Sequence, residues 1–136
     1  MIQYAPYMKG NELLTLRGKN YGSVFCAPGA LGFFGEGYPY HKMAKYFGMS
    51  WRGTGFVSKT ITYPAREGNM PLQSDHLTPV ERLIPRCIVV KPFSGHVLNA
   101  VGLSGPGAEW ALGTGRWQQR IDPFMISFMS VAGSAD

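Results

Sequence analysis

The chain has 136 residues, 45% hydrophobic and 15% charged, which fits one ordinary globular domain at most. Its formal charge of +5 comes from 13 basic and 8 acidic residues spread without a run of three Lys or Arg, so a nucleic-acid footprint is not expected. No stretch approaches the roughly 20 apolar residues of a membrane span, and Met1 to Tyr21 contains no apolar core of signal-peptide length.

Ser23 to Ala27 is a short apolar run closed by Pro28-Gly29, which predicts a strand buried on both faces. A glycine-punctuated loop follows from Gly29 to Gly37. Tyr38 to Phe47 sets Met43, Ala44 and Phe47 on one face at helical spacing, away from Lys42 and Lys45, with Gly48 as the stop. Gly55 to Thr62 is a second strand, giving a β-loop-α-β unit with a parallel crossover. Tyr63 to Pro85 is an irregular excursion with four prolines, at 64, 71, 79 and 85. Arg86 to Lys91 and His96 to Asn99 predict a hairpin around Pro92-Phe93-Ser94-Gly95. Glu109 to Arg120 reads as a helix interrupted by Gly113 and Gly115, and Phe124 to Ala132 as a third buried strand. The fold class is α/β, with about three parallel strands and an inserted hairpin and loop region.

Lys59, in Val57-Ser58-Lys59-Thr60-Ile61-Thr62, stands at the C-terminal end of the second strand, where α/β proteins present their chemistry. A lysine there serves equally as a solvated or ion-paired side chain or as a fixed charge that stabilises a developing anion. Asn99-Ala100-Val101-Gly102-Leu103 reads as a turn, or as a nest whose Gly102 and Leu103 amides face a carboxylate. Ala27-Pro28-Gly29 has little side-chain bulk, so either a flat ligand or a neighbouring helix can lie against its backbone. Ser130, at the end of the third strand, is either a satisfied core hydroxyl or a cavity-facing group. His41, His76 and His96 have no ligand spacing, so no metal is expected. Cys26 and Cys87 match no metal or redox pattern and suit reduced thiols in a cytoplasmic protein.

Taken in order, Lys59-Thr60, Arg66-Glu67-Gly68-Asn69, Pro85-Arg86, Asn99 through Leu103 and Pro106-Gly107 resemble the N-terminal part of the dihydroorotate dehydrogenase family. The family consists of FMN-dependent enzymes of pyrimidine biosynthesis built on a (β/α)8 TIM barrel. The resemblance spans about Leu14 to Gly133 and implies that residues 1–136 form a single partial domain, the start of a barrel that takes roughly 250 residues. It implies that Ala27, Pro28 and Gly29 line the flavin through their backbone and that Thr60 meets the isoalloxazine edge. Lys59 would lie between flavin and substrate, stabilising negative charge on the one and touching the other. Asn99, with the Val101-Gly102-Leu103 backbone, would hold the ring and carboxylate of orotate, and Ser130 would face the same cavity. The reaction would pass a hydride from dihydroorotate to the flavin while a general base takes the neighbouring proton.

Pro28 stands where the family often has serine, and Gln73 to Ile84 looks like an insertion bordering the site. The family's cysteine or serine base and its phosphate loops for FMN would lie past Asp136; Cys26 and Cys87 do not align with that base. The chain is therefore expected to bind FMN weakly by itself. Its open sheet edges predict self-association, as a homo-oligomer or with the remainder of a barrel. The substrate would be a small molecule, dihydroorotate or a related cyclic amide, with no membrane partner. Other readings are a non-catalytic fragment or interaction module, and an oxidoreductase of another dihydropyrimidine.

Overall fold

The structure, a computed structural model, describes residues 13–48, 50–51, 53–81 and 85–131. Readings that rest on Met1 to Glu12, the Lys42 side chain, Ile84 or Ala132 to Asp136 concern residues or side chains outside that set. Elements follow in the order β1 (Thr15–Leu16), β2 (Lys19–Asn20), β3 (Val24–Phe25), α1 (Pro39–Tyr46), β4 (Thr54–Val57), β5 (Ile88–Lys91), β6 (His96–Asn99), α2 (Ala108–Gly113) and β7 (Phe124–Met125). The molecule is mixed α/β.

Its centre is a three-stranded parallel sheet in the order β3-β4-β7. Val24 and Phe25 pair with Thr54 and Gly55, and Phe56 and Val57 pair with Phe124 and Met125. Pairing with the third strand continues past the end of β4: Ser58 N–H donates to Met125 O at 2.9 Å and Ile61 N–H to Ser127 O at 2.9 Å. Between them the Lys59 amide turns away and donates to Gly32 O at 2.8 Å. The central strand thus leaves the ladder at Lys59 and Thr60 and rejoins it at Ile61.

The Gly29–Gly37 loop supplies much of the core instead of merely connecting elements. Phe33 and Phe34 pack with Ile61, Ala111 and Trp117, while Leu31 packs with Cys26 and Phe56; Phe124 touches both groups. The turn that inserts these rings is held by Glu36, whose carboxylate accepts the Phe33 and Phe34 amides at 2.9 and 2.7 Å. Trp117 Nε1 donates to Phe33 O at 2.9 Å, and Arg120 Nη1 to Phe34 O at 3.0 Å, tying the turns after α2 to the loop.

The hairpin forms as the sequence predicts, with Ile88–Lys91 antiparallel to His96–Asn99. A second, shorter one was not foreseen: β1 and β2 pair across Arg17-Gly18, both at positive φ. Three expectations need correction. The apolar face of α1 is uncovered, with Met43 63% and Phe47 85% exposed. The helix expected over Glu109 to Arg120 ends at Gly113, and turns carry the chain through Gly115, at φ 68. The outer strands are not buried on both faces: Val24 in β3 and Ile126, Phe128 and Met129 beyond β7 are exposed. Each outer strand pairs on one edge only among the described residues, so hydrophobic composition alone overstated their burial.

Candidate active site

Beyond the C-terminal end of the sheet lies an open cleft of about 990 Å³. Its floor is Lys59-Thr60 and its near ledge is Ala27-Pro28-Gly29; Asn99, Val101, Gly102 and Leu103 close another side. Residues singled out from three separated stretches of sequence therefore border one space. Ser130 does not join them; it is exposed and outside the lining.

The arrangement follows from how the motifs hold each other. Arg66 and Gly105 exchange both backbone hydrogen bonds, at 2.9 and 2.8 Å, and the Asn69 amide donates to Val101 O at 2.9 Å. Asn69 Nδ2 adds a bond to Ala100 O at 2.8 Å. Ser104 Oγ donates to Val101 O at 2.9 Å and accepts the Met70 amide at 3.1 Å. Gly68 lets these backbones meet: at φ 56, a Cβ there would lie 2.6 Å from Val101 O and 2.8 Å from Gly102 O. Arg66-Glu67-Gly68-Asn69 and Asn99 through Leu103 are thus two halves of one zipped wall.

Gly102 and Leu103 both have positive φ, 73 and 61, and Asn99 Oδ1 accepts the Val101 amide at 3.1 Å. Leucine seldom adopts that conformation. It turns the Gly102 and Leu103 amides out of the strand pairing, and they find no acceptor among the described residues. Asn99 therefore spends its oxygen on the turn, while the two amides are the donors that remain for a ligand.

Lys59 is 9% exposed and its Nζ donates to Ser104 O at 2.8 Å. The ammonium lies over the Phe33 ring, 4.8 Å from the centroid. No carboxylate forms a salt bridge with it among the described residues. Burial pushes its pKa down to about 8, opposed in part by the Glu36 carboxylate and by Cys87. At neutral pH the group is mostly protonated, yet it gives up that proton more easily than a surface lysine. Thr60 Oγ1 is bonded to Ser127 Oγ at 2.8 Å, which fixes its rotamer at the cleft floor.

Several lining residues carried no sequence signal. Tyr38 and Tyr40 stack at 5.6 Å between centroids and form an aromatic side of the cleft. Burial, with Tyr40 and Glu36 adding, pushes the Tyr38 phenol up to about 12, so it remains a proton donor. Ser104, buried behind the lining, directly follows the recognised turn, and that adjacency was the signal available for it. Pro79 and Glu81, from the inserted segment, also reach the cleft. Glu81 holds Arg86 there, with Arg86 Nε 3.2 Å from Oε1 and the Arg86 amide 2.7 Å from Oε2.

Among the described residues no group of His, Cys, Asp and Glu could hold a metal ion, and no helix is long and apolar enough to cross a membrane. No protein-family model, curated protein or solved structure matches the chain.

Proposed function

We propose that this chain carries the flavin- and substrate-facing part of a dihydroorotate dehydrogenase-like oxidoreductase, its three-stranded sheet being the start of a (β/α)8 barrel. The observation that carries the reading is Lys59, a buried ammonium at the cleft floor between a bare backbone ledge and the Gly102 and Leu103 amides, with no carboxylate salt bridge to it and no acceptor for those amides among the described residues.

The residues present fit the ring of FMN. A Cβ built on Gly29, at φ 89, would meet only Lys59 Cγ at 3.7 Å, so the ledge is open on its cleft side. A flat, partly apolar ring would rest on Ala27-Pro28-Gly29, with Thr60 at its edge and Lys59 beneath. When bound, the flavin supplies a two-electron acceptor for the hydride lost from a saturated carbon-carbon bond. Lys59 stabilises negative charge on its cleft side, an effect strengthened by its exclusion from water. The Gly102 and Leu103 amides bind a carboxylate, and the stacked tyrosines with Ile88 and Val90 give the space an apolar border. Because Pro79 and Glu81 also line the cleft, a cyclic amide other than dihydroorotate is the second reading.

The test is a two-ligand map by amide chemical shifts. FMN at high micromolar concentration should perturb Ala27, Gly29, Lys59 and Thr60, and orotate should perturb Val101, Gly102 and Leu103. Shifts that are absent at millimolar ligand, or that gather at the other end of the sheet near Trp51 and Arg120, would sink the proposal.

A further inference from the structure

The Lys59 amine has a capacity that charge stabilisation does not use. Its hydrogen-bond acceptor is a single carbonyl, that of Ser104. One side is an aromatic ring, and the Lys59 side chain borders a cleft lined largely by apolar groups. Desolvated in this way, a lysine loses its proton readily, and the free amine attacks carbonyl carbon. Ser104 immediately follows Leu103, so the amine's acceptor and the two amides, which have no acceptor among the described residues, share one short stretch of chain. A 2-oxo acid carries an electrophilic carbonyl and a carboxylate on adjacent carbons, which is the pair of groups such a wall receives.

We propose that Lys59 captures small 2-oxo acids as a Schiff base, with the carboxylate held on the Gly102 and Leu103 amides. The amine nitrogen bonds to the carbonyl carbon. Its two protons and the carbonyl oxygen leave as water, and a C=N bond remains, with nothing oxidised or reduced. Glu36 and Cys87 are the titratable groups that act on the amine, while Tyr38, Tyr40 and Glu81 share the cleft with it. The capture needs neither flavin nor cyclic amide, so it stands or falls apart from the function proposed above.

The experiment treats the full chain with glyoxylate and cyanoborohydride, which reduces the C=N bond to a stable amine, and maps the labelled lysines by peptide mass. At pH 7, Lys59 should label roughly tenfold or more faster than the exposed Lys19, Lys45 and Lys91. Its rate should rise to about pH 8 and then level. With acetaldehyde, which has no carboxylate, the ratio of Lys59 to Lys91 should drop. Labelling of Lys59 no faster than the exposed lysines would overturn the capture. An unchanged ratio with acetaldehyde would overturn the role of the amides. A preference that survives denaturation in urea would also count against it, because local sequence and not the cleft would then be its source.

Discussion

The wall of the cleft that carries Lys59 is held from several directions, whereas the wall formed by the β5–β6 hairpin is held by its own pairing. Ser104, at 0% exposure, joins Lys59, Met70 and Val101 through one carbonyl and one hydroxyl. In the hairpin, Val89, Val90, Val97 and Leu98 are exposed and Phe93 is fully so. Both walls are rich in backbone hydrogen bonds, but only the first also includes bonds to a fully buried residue, Ser104. A hydrogen bond contributes modestly to stability when water can replace it, and its loss is costly where water cannot reach. The geometry of the site should therefore depend on the zipped wall, and the hairpin should tolerate change.

The widest separation is expected between two glycines with similar positive φ. Gly68→Ala drives a Cβ into the Val101 and Gly102 carbonyls and the Ser104 hydroxyl, and should cost about 3 kcal/mol or prevent folding. Gly95, at φ 67 in the hairpin turn, has nothing within 4 Å of its Cβ position. Its replacement by Ala should cost only the strain of a left-handed residue, about 1 kcal/mol. Urea denaturation of both variants gives the difference, and equal losses would remove the distinction between the walls.

Ser104→Ala leaves the buried Met70 amide without an acceptor and should cost about 2 kcal/mol by the same measurement. Ser94→Ala, at the exposed hairpin turn, should stay within about 0.5 kcal/mol. A Ser104 loss as small as that of Ser94 would mean that water reaches the zipped wall.

Lys59→Met should stabilise the fold, by about 1 kcal/mol at pH 7, because it removes a charge held out of water. The folded-state pKa of about 8 lies below the ordinary lysine value of 10.5. Between those values the unfolded chain binds more protons, so wild-type stability rises with pH across that window. Below about pH 8 the penalty is fully present. The advantage of the variant should therefore be greatest below pH 8 and fade toward 10.5, while shifts induced by orotate disappear. A destabilised variant at pH 7 would show that the bond to Ser104 O outweighs the desolvation of the ammonium.

The sequence made the central sheet, α1 and the β5–β6 hairpin legible because periodicity and turn residues report local preferences. It also indicated about half of the residues that border the cleft, since Lys59 and Gly102-Leu103 lie where strands end or chains cross. Burial was less legible. Met43 and Phe47 carry helical periodicity but face solvent, because a pattern names an apolar face without naming what covers it. Phe33 and Phe34 lie in a glycine-rich loop and still reach the core, through a Glu36 contact that spans two or three residues and has no periodic signature. Tyr38 and Tyr40 line the cleft from the N-terminal end of α1, a placement set by tertiary packing alone.

The smallest stability effect is expected at Phe93. Its ring, at the tip of the hairpin, buries nothing, so Phe93→Ser should change unfolding free energy by less than about 0.5 kcal/mol. An exposed aromatic next to Val90 and Val97 is nevertheless a site at which hairpins pair edge to edge. The variant should therefore sediment with less self-association than wild type at equal concentration. Unfolding that shifts by about 1 kcal/mol or more would mean that the ring packs against something in solution, and the hairpin would then belong with the buried wall. Unchanged stability together with reduced association would place the hairpin outside the folding core, as a cleft wall that the core does not hold.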